Sequence, residues 1–430
     1  MGFDHIDPLD KMLSDYQLVS DSYSGRCPAN PYPMLAERRS ACPVMHGDVL
    51  AEYEVPSPAD FMRSGRPVVT LFRYKDVHAV LKDPVNWQSY LLAEGFGAAV
   101  DNMLFTGMDG EVHDTYRGLI QKPFSRPEIR RRMDTLIIPI IRDEYIARMR
   151  PLGRTDLIRD FALPVPLRIA YAFLGFPDDP SVVQELAGLA LKVLAGPQFD
   201  PETARITVPA SMAAGARMHE IILPIVAARR AEGTDQDDVI GFMMRSEIDG
   251  RHFTDDDITA FVRMLLLAAG ETTSRTFGNM MVQLFEQPSV LEEIRQDRKL
   301  IPKAINETMR RDPTAAALAR IAAKDMEIGG VKIPKGTAVS LSIASANRDP
   351  EVYERPDELW IQRPMRPLLS FGFGPHICMG MHLALAEIEV ALDALLDLPN
   401  LRLDPDYDPP TVRGLNLRGA DSIHVLWDTD

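Results

Sequence analysis

The stretch from Thr254 to Gln287, TDDDITAFVRMLLLAAGETTSRTFGNMMVQLFEQ, constrains the fold more than any other. Thr254 offers the hydroxyl of a helix N-cap, and Asp255, Asp256 and Asp257 place negative charge where the helix dipole is positive. Apolar residues then recur for about eight turns of helix. The same helical recurrence runs through most of the chain from about residue 109 to about residue 310. Strand character is confined to short pieces. These are PVVTLFRY at 67–74 (ahead of a helix over 76–81), MEIGGVKIPKGTAVSLSIA with Gly329-Gly330 and Pro334-Lys335-Gly336 as turns, and the terminal DSIHVLWD. MHLALAEIEVALDALLDL, residues 381–398, reads as a strong amphipathic helix. The fold class expected is mainly α with small β-sheets at the edges. Residues 1–60, rich in Pro, Ser and Gly, read as an irregular arm packed on the body, and residues 61–430 as a single domain. Residues 84–108, with several glycines, read as a long loop.

Lys and Arg total 47 against 62 Asp and Glu, a net charge of −15 that opposes non-specific nucleic-acid binding. Three widely spaced cysteines do not make a disulfide framework. Cys27 and Cys42 could pair in an oxidising compartment, and a reducing cytosol would leave them free. The first residues, MGFDHIDPLDKMLSDYQ, are acidic and lack the apolar core of a signal peptide or anchor. Apolar runs such as 264–270 are too short to span a bilayer. A soluble cytoplasmic protein is expected, with no nucleic-acid partner and no membrane span.

FGFGPHICMG, residues 371–380, sets Cys378 between glycines and a histidine. Gly372 and Gly374 permit a tight turn and close approach to a flat object. Cys378 falls just ahead of the helix that begins near Met381, where backbone N–H groups favour thiolate over thiol. A thiolate is a nucleophile or a metal ligand; on the residues alone, a buried cysteine at a loop–helix junction is the alternative. Ala268-Ala269-Gly270-Glu271-Thr272-Thr273 interrupts an apolar helix with glycine, an acid and hydroxyls, which taken singly reads as a kink with surface polar residues. Glu307 and Arg310 share one helical face, as do His113 and Arg117, and such pairs are common on solvated surfaces.

In combination these stretches resemble the cytochrome P-450 family, soluble bacterial type. Phe371, Gly374, His376, Cys378 and Gly380 match its haem-binding signature, and Gly372 fits the extended form. Residues 268–273 resemble its oxygen-binding groove, with Ala269 where glycine is commoner. Glu307 and Arg310 match its E-x-x-R pair. In the segment that usually adds a third, basic member, Pro356-Asp357-Glu358-Leu359, Glu358 stands at the basic position, with Arg363 as the alternative. His113 and Arg117 follow Met108-Asp109 as the family's H-x-x-x-R does, Arg320 falls in LARIAAKD, and ANRDPEVYERPD from Ala346 matches the loop ahead of the haem segment. The matches run from about residue 65 to the C-terminus.

The resemblance implies a triangular, helix-rich body. Haem b would lie between the long distal helix and the cysteine loop with its proximal helix. It implies that Cys378 is the metal ligand, that Phe371 covers the sulfur, and that His113, Arg117, Arg320 and His376 hold the haem propionates, with Ala268 beside the cofactor. Thr272 and Glu271 would be the catalytic acid–alcohol pair, Thr272 hydrogen-bonding dioxygen and Glu271 relaying protons from solvent. Leu267, Ala315, Ala316 and Leu415 would touch substrate. The small side chains Ala315, Ala316 and Ala317 imply a roomy apolar pocket for a medium-sized hydrophobic molecule, a terpenoid, steroid or aromatic. One atom of O2 would be inserted, by hydroxylation or epoxidation. Electrons would come from a separate iron–sulfur ferredoxin, or a flavodoxin, with its reductase, and Arg126, Arg130, Arg131 and Arg132 could steer an acidic partner. A monomer is expected. The competing readings are a peroxide-using relative, a non-catalytic haem protein that senses or carries a gas, and a helical protein without haem.

Overall fold

The computed structural model describes residues 7–101, 105–248 and 250–429. Its first finding overturns the irregular arm. Helix α1 (Pro8–Ser24) starts on Asp7, whose carboxylate accepts from the Leu9 N–H at 2.9 Å. Met12, Tyr16, Val19 and Tyr23 recur along it at helical spacing and are all buried. Helix α2 (Tyr32–Ala41) and strand β1 (Val44–His46) follow. Pro8 and Pro33 sit in the first turns of these helices, where a missing N–H costs nothing. Residues 1–6 lie outside the described residues.

Strand β2 (Val68–Leu71) and helix α3 (Tyr74–Lys82) stand where the sequence predicts them. The expected long loop is instead mostly ordered structure: β3 (Trp87–Gln88), α4 (Leu91–Phe96) and two 3₁₀ turns, Gly97–Val100 and Phe105–Gly107. Its glycines serve close packing. A Cβ on Gly95 would stand 2.5 Å from the Phe61 ring, and one on Gly107 3.0 Å from the Ala93 nitrogen. Residues 102–104 of that stretch lie outside the described residues.

Helices α5 (Gly110–Ile120), α6 (Pro164–Leu174), α7 (Pro180–Leu194) and α8 (Pro201–Glu232) lead to the long helix α9 (Asp255–Phe285). The start of α9 is a complete capping box. Thr254 Oγ1 accepts from the Asp257 N–H at 3.1 Å, and Asp257 Oδ2 accepts from the Thr254 N–H at 2.9 Å. Helices α6, α7 and α8 all pack against it. Between Ile258 and Leu284 every residue is buried except Ala268, Ala269, Thr272 and Thr276, which form one stripe at helical spacing. A helix so enclosed must expose that stripe for a reason other than solubility.

Helix α10 (Ile301–Arg311) leads into β4 (Ala317–Ala322) and β5 (Ala338–Ser342), with the predicted hairpin Met326–Ile328 and Val331–Ile333 between them. The main sheet has the order β1–β2–β5–β4–β3. Strand β5 runs parallel to β2, with Val339 opposite Val69, and antiparallel to β4, with Val339 opposite Arg320. Helix α11 (Met381–Leu395) packs on α10 and follows the cysteine loop directly. The C-terminal strand His424–Leu426 lies between Arg402–Leu403 and Arg154–Asp156. Among the described residues no helix is long and apolar enough to cross a membrane.

Candidate active site

The cysteine loop is built by its own hydrogen bonds. The Cys378 N–H donates to the Phe371 carbonyl at 2.8 Å and the Ile377 N–H to the Gly374 carbonyl at 3.1 Å. Gly374 has φ +72°, and a Cβ there would stand 2.6 Å from the Leu81 carbonyl oxygen, so only glycine lets the loop lie on the end of α3. Cys378 is exposed, whereas the residues around it are half-buried. Enough protein surrounds the sulfur that burial is the largest influence and pushes the thiol up. The N–H groups of Gly380 and Met381 and the charge of Arg117 act the other way. The helix start therefore does what the sequence predicts, but alone it is outweighed. A cation bound to the sulfur would reverse the balance.

Donors gather beside this loop from three separate segments. Arg117 on α5 donates to the Ile377 carbonyl at 2.6 Å. The rings of His113 and His376 lie 4.0 Å apart between centroids. His113 Nδ1 is 3.0 Å from Asp114 Oδ1, while its Nε2 is buried without a partner, as is His376 Nδ1. Burial pushes His376 down, opposed by the Asp109 carboxylate, whose Oδ1 is 3.8 Å from His376 Nε2. Arg320 on β4 is buried and donates to its neighbour's carbonyl, Ala319, at 2.7 Å. Burial lowers it to about 10, with Asp109 opposing. One carboxylate thus faces two buried cationic or imidazole groups, and two imidazole nitrogens have no acceptor or donor. Buried polar groups are rarely left so. The carboxylates of a haem would satisfy them by charge-assisted hydrogen bonds, with its iron at the Cys378 sulfur, so the residues present fit that group.

Asp109 was legible only as a marker ahead of His113, yet it organises the donors. Its two carboxylate oxygens also accept from the Ser89 N–H at 2.9 and 2.8 Å, which fixes its position.

On α9, Thr272 Oγ1 donates to the Ala268 carbonyl at 2.7 Å and Thr276 Oγ1 to the Thr272 carbonyl at 2.8 Å. Thr276 Oγ1 also lies 3.0 Å from Thr314 Oγ1. Glu271 is not on the open stripe with Thr272. Its carboxylate is buried and ion-paired with Arg275, one turn further along α9. Access from solvent, expected for it from the sequence, is not what its surroundings provide.

Of the expected substrate contacts, Ala315 is half-buried, whereas Leu267, Ala316 and Leu415 are buried. Leu415 is drawn inward because its N–H donates to the Tyr23 carbonyl of α1 at 3.0 Å. Leu417 is the half-buried residue of that turn and bridges Ala315, and Leu318 is half-buried on β4. Phe371 is half-buried against the core.

Behind the loop, Glu307 accepts from Arg310 Nε at 2.8 Å and Nη2 at 2.9 Å. Arg363 Nε supplies the third member, 3.1 Å from both Glu307 oxygens. Glu358 instead pairs with Arg355 at the surface, at 3.1 Å. In the basic run, Arg131 and Arg132 pair with Asp237, and Arg126 and Arg130 stay exposed.

The family model for Cytochrome P450 matches residues 207–419. The chain is 32% identical over 358 residues to the cyclomarin C epoxidase CymV of Salinispora arenicola, covering 81% of this chain and 88% of that protein. It is also 32% identical over 330 residues to cytochrome P450 109 of Bacillus spizizenii, covering 76% and 78%. Substrate-free CYP109E1 of Bacillus megaterium has the same fold, with a TM-score of 0.80 at 24% identity over 94% of this chain and 100% of that one. On that likeness of sequence and of fold, the chain belongs to the cytochrome P450 family, the haem-thiolate monooxygenases.

Proposed function

We propose that this monooxygenase holds haem b through Cys378 and oxidises a medium-sized hydrophobic small molecule with O2, by hydroxylation or epoxidation. The observation that carries the cofactor placement is the set of under-satisfied donors beside Cys378: His113 Nε2, His376 Nδ1 and the Arg320 guanidinium. His113, Arg117, Arg320 and His376 would bind the cofactor's carboxylates. The N–H groups of Gly380 and Met381 favour the thiolate, and Phe371, half-buried against the core, opens the loop that carries it. When bound, haem with a thiolate ligand supplies the oxygen-cleaving chemistry. Thr272 holds its hydroxyl proton on the open stripe of α9, and Glu271, next to it in the chain, is the group that passes protons towards it. Ala268, Ala269, Thr272 and Thr276 on α9, with Ala315, Leu318 and Leu417, present a mostly apolar surface to substrate. Exclusion of water by that surface favours a hydrophobic molecule. The similarity to a cyclomarin C epoxidase supports epoxidation as one of the two reactions.

Electrons would arrive from a separate ferredoxin or flavodoxin. The helix bearing Arg126 and Arg130 packs against α11, the helix that follows Cys378, and both arginines are exposed there. An acidic partner docked on them would be steered by charge, so its reduction rate should fall as salt rises. The test of the cofactor assignment is the spectrum of reduced, haem-loaded protein under carbon monoxide. A strongly red-shifted Soret band is expected, and its absence from freshly purified protein would falsify the thiolate at Cys378.

A further inference from the structure

Glu271 and Arg275 are both almost wholly enclosed, with side chains 2% and 0% exposed. Arg275 Nε donates to Glu271 Oε1. The rest of the guanidinium belongs to α1, which precedes it by some 250 residues. Its Nη1 donates to Ser20 Oγ at 3.0 Å, its Nη2 to the Tyr16 carbonyl at 3.4 Å, and its carbon lies 4.1 Å from the centre of the Tyr16 ring. Ser20 Oγ in turn donates to the Tyr16 carbonyl at 3.2 Å, and the Tyr16 hydroxyl to the Ala420 carbonyl at 3.0 Å. Gly419 leaves room for this socket: a Cβ there would stand 2.6 Å from Arg275 Nη1. Glu271 Oε2 is buried without a partner, and Glu271 borders a small cavity with Leu163, Leu167, Leu191 and Ser274, between α6, α7 and α9.

We propose that Arg275 is the positioning residue for Glu271, holding its carboxylate ionised and off the open stripe of α9, and that Ser20 and Tyr16 of α1 set how firmly it is held. This rests on the reading that Glu271 passes protons. In that passage the carboxylate takes up one proton from water admitted to the cavity it borders and gives one up towards Thr272, so it returns to its starting charge. Arg275 stays protonated throughout. The other titratable or charged groups facing the pair are Tyr16 and Tyr23 from α1 and Asp421 and Arg413 beyond them. Burial holds both phenols neutral, with Glu271 adding to the effect, so neither competes with Glu271 for the charge of Arg275. An acid that is charged, enclosed and clamped from the N-terminal helix delivers protons only as fast as that clamp allows.

The experiment compares Arg275→Gln, Ser20→Ala, Glu271→Gln and the Arg275→Gln/Glu271→Gln double variant as haem-loaded full-length protein. Infrared spectroscopy reads the carboxyl group directly and needs no turnover. Arg275→Gln is expected to bring out a protonated carboxyl band at neutral pH that the double variant lacks, because a lone buried carboxylate takes up a proton. If no such band appears, Arg275 does not hold the charge. Oxygen consumption with a generic ferredoxin and reductase is the second readout. It should fall about tenfold or more in Arg275→Gln, with a larger solvent isotope effect. Ser20→Ala, which should fold even if Arg275→Gln does not, should move the acid limb of that rate to higher pH. An unmoved limb would overturn the part given to α1. Normal oxygen consumption in Glu271→Gln would sink the relay reading instead, and the infrared band would still decide the role of Arg275.

Discussion

Glu271 and Thr272 are adjacent in the chain, yet one lies in a buried ion pair and the other on the open stripe of its helix. Successive helical residues differ in direction by about a quarter turn, which is enough to part them. Their substitutions should therefore differ. Thr272→Ala is expected to leave haem retention and thermal stability within error while diverting electrons to hydrogen peroxide. Peroxide measured per electron consumed checks this, and unchanged coupling would remove Thr272 from proton delivery. Gly374→Ala should act on the loop itself. The left-handed conformation costs a side chain roughly 1–2 kcal/mol, and the contact with Leu81 adds to it. Faster haem loss to an acceptor protein is the expected readout, with an unaltered rate excluding the close approach. At this scale the sequence exposed what is local. The spacing from Phe371 to Gly380 and the acid–alcohol dipeptide are contiguous, and their chemistry is written in residue type. Arg275, one turn beyond Glu271, was not singled out, and its socket on α1 could not be, because no local period connects residues 16 and 20 to residue 275. Arg363, at 3.1 Å from Glu307, was legible only as an alternative to Glu358, since a loop decides which side chain turns inward.

Elements were legible where their ends carry chemical signals. The start of α9 was, because Thr254 and Asp257 satisfy each other's backbone groups. Thr254→Ala should cost about 1 kcal/mol, seen as a lower unfolding midpoint with an unchanged spectrum of the bound cofactor. Helix α1 was missed for the opposite reason: its first-turn proline and nearby glycines resemble loop chemistry, and its buried stripe of Met12, Tyr16, Val19 and Tyr23 mixes polar tips with apolar bodies. Helix α11 carries a different lesson. Glu387 is buried on it, and burial alone holds its carboxyl well above the usual range. The folded protein therefore keeps a proton that the unfolded chain releases above its ordinary carboxylate range. That contribution to stability is fully present at low pH and is lost as pH rises towards the folded value. Glu387→Gln should accordingly raise the unfolding midpoint at pH 8 and change it little at pH 4.

For the whole molecule, helical periodicity with a few short strand patterns marked the helix-rich class with small sheets, but not which strands meet. The parallel pairing of β2 with β5 joins residues 68–71 to residues 338–341, across most of the chain. The donors beside Cys378 are similarly dispersed, from His113 and Arg117 through Arg320 to His376. Pairings so remote are slow, because a large loop must close before any contact compensates for it. On a ribosome adding about 5–20 residues each second, the first of those donors emerges well before the last. If Cys378 holds the haem as proposed, capture of the cofactor waits until Cys378 has left the exit tunnel. Scarcity of haem during synthesis would then be felt by chains that already carry His113, Arg117 and Arg320, rather than as stalled early intermediates.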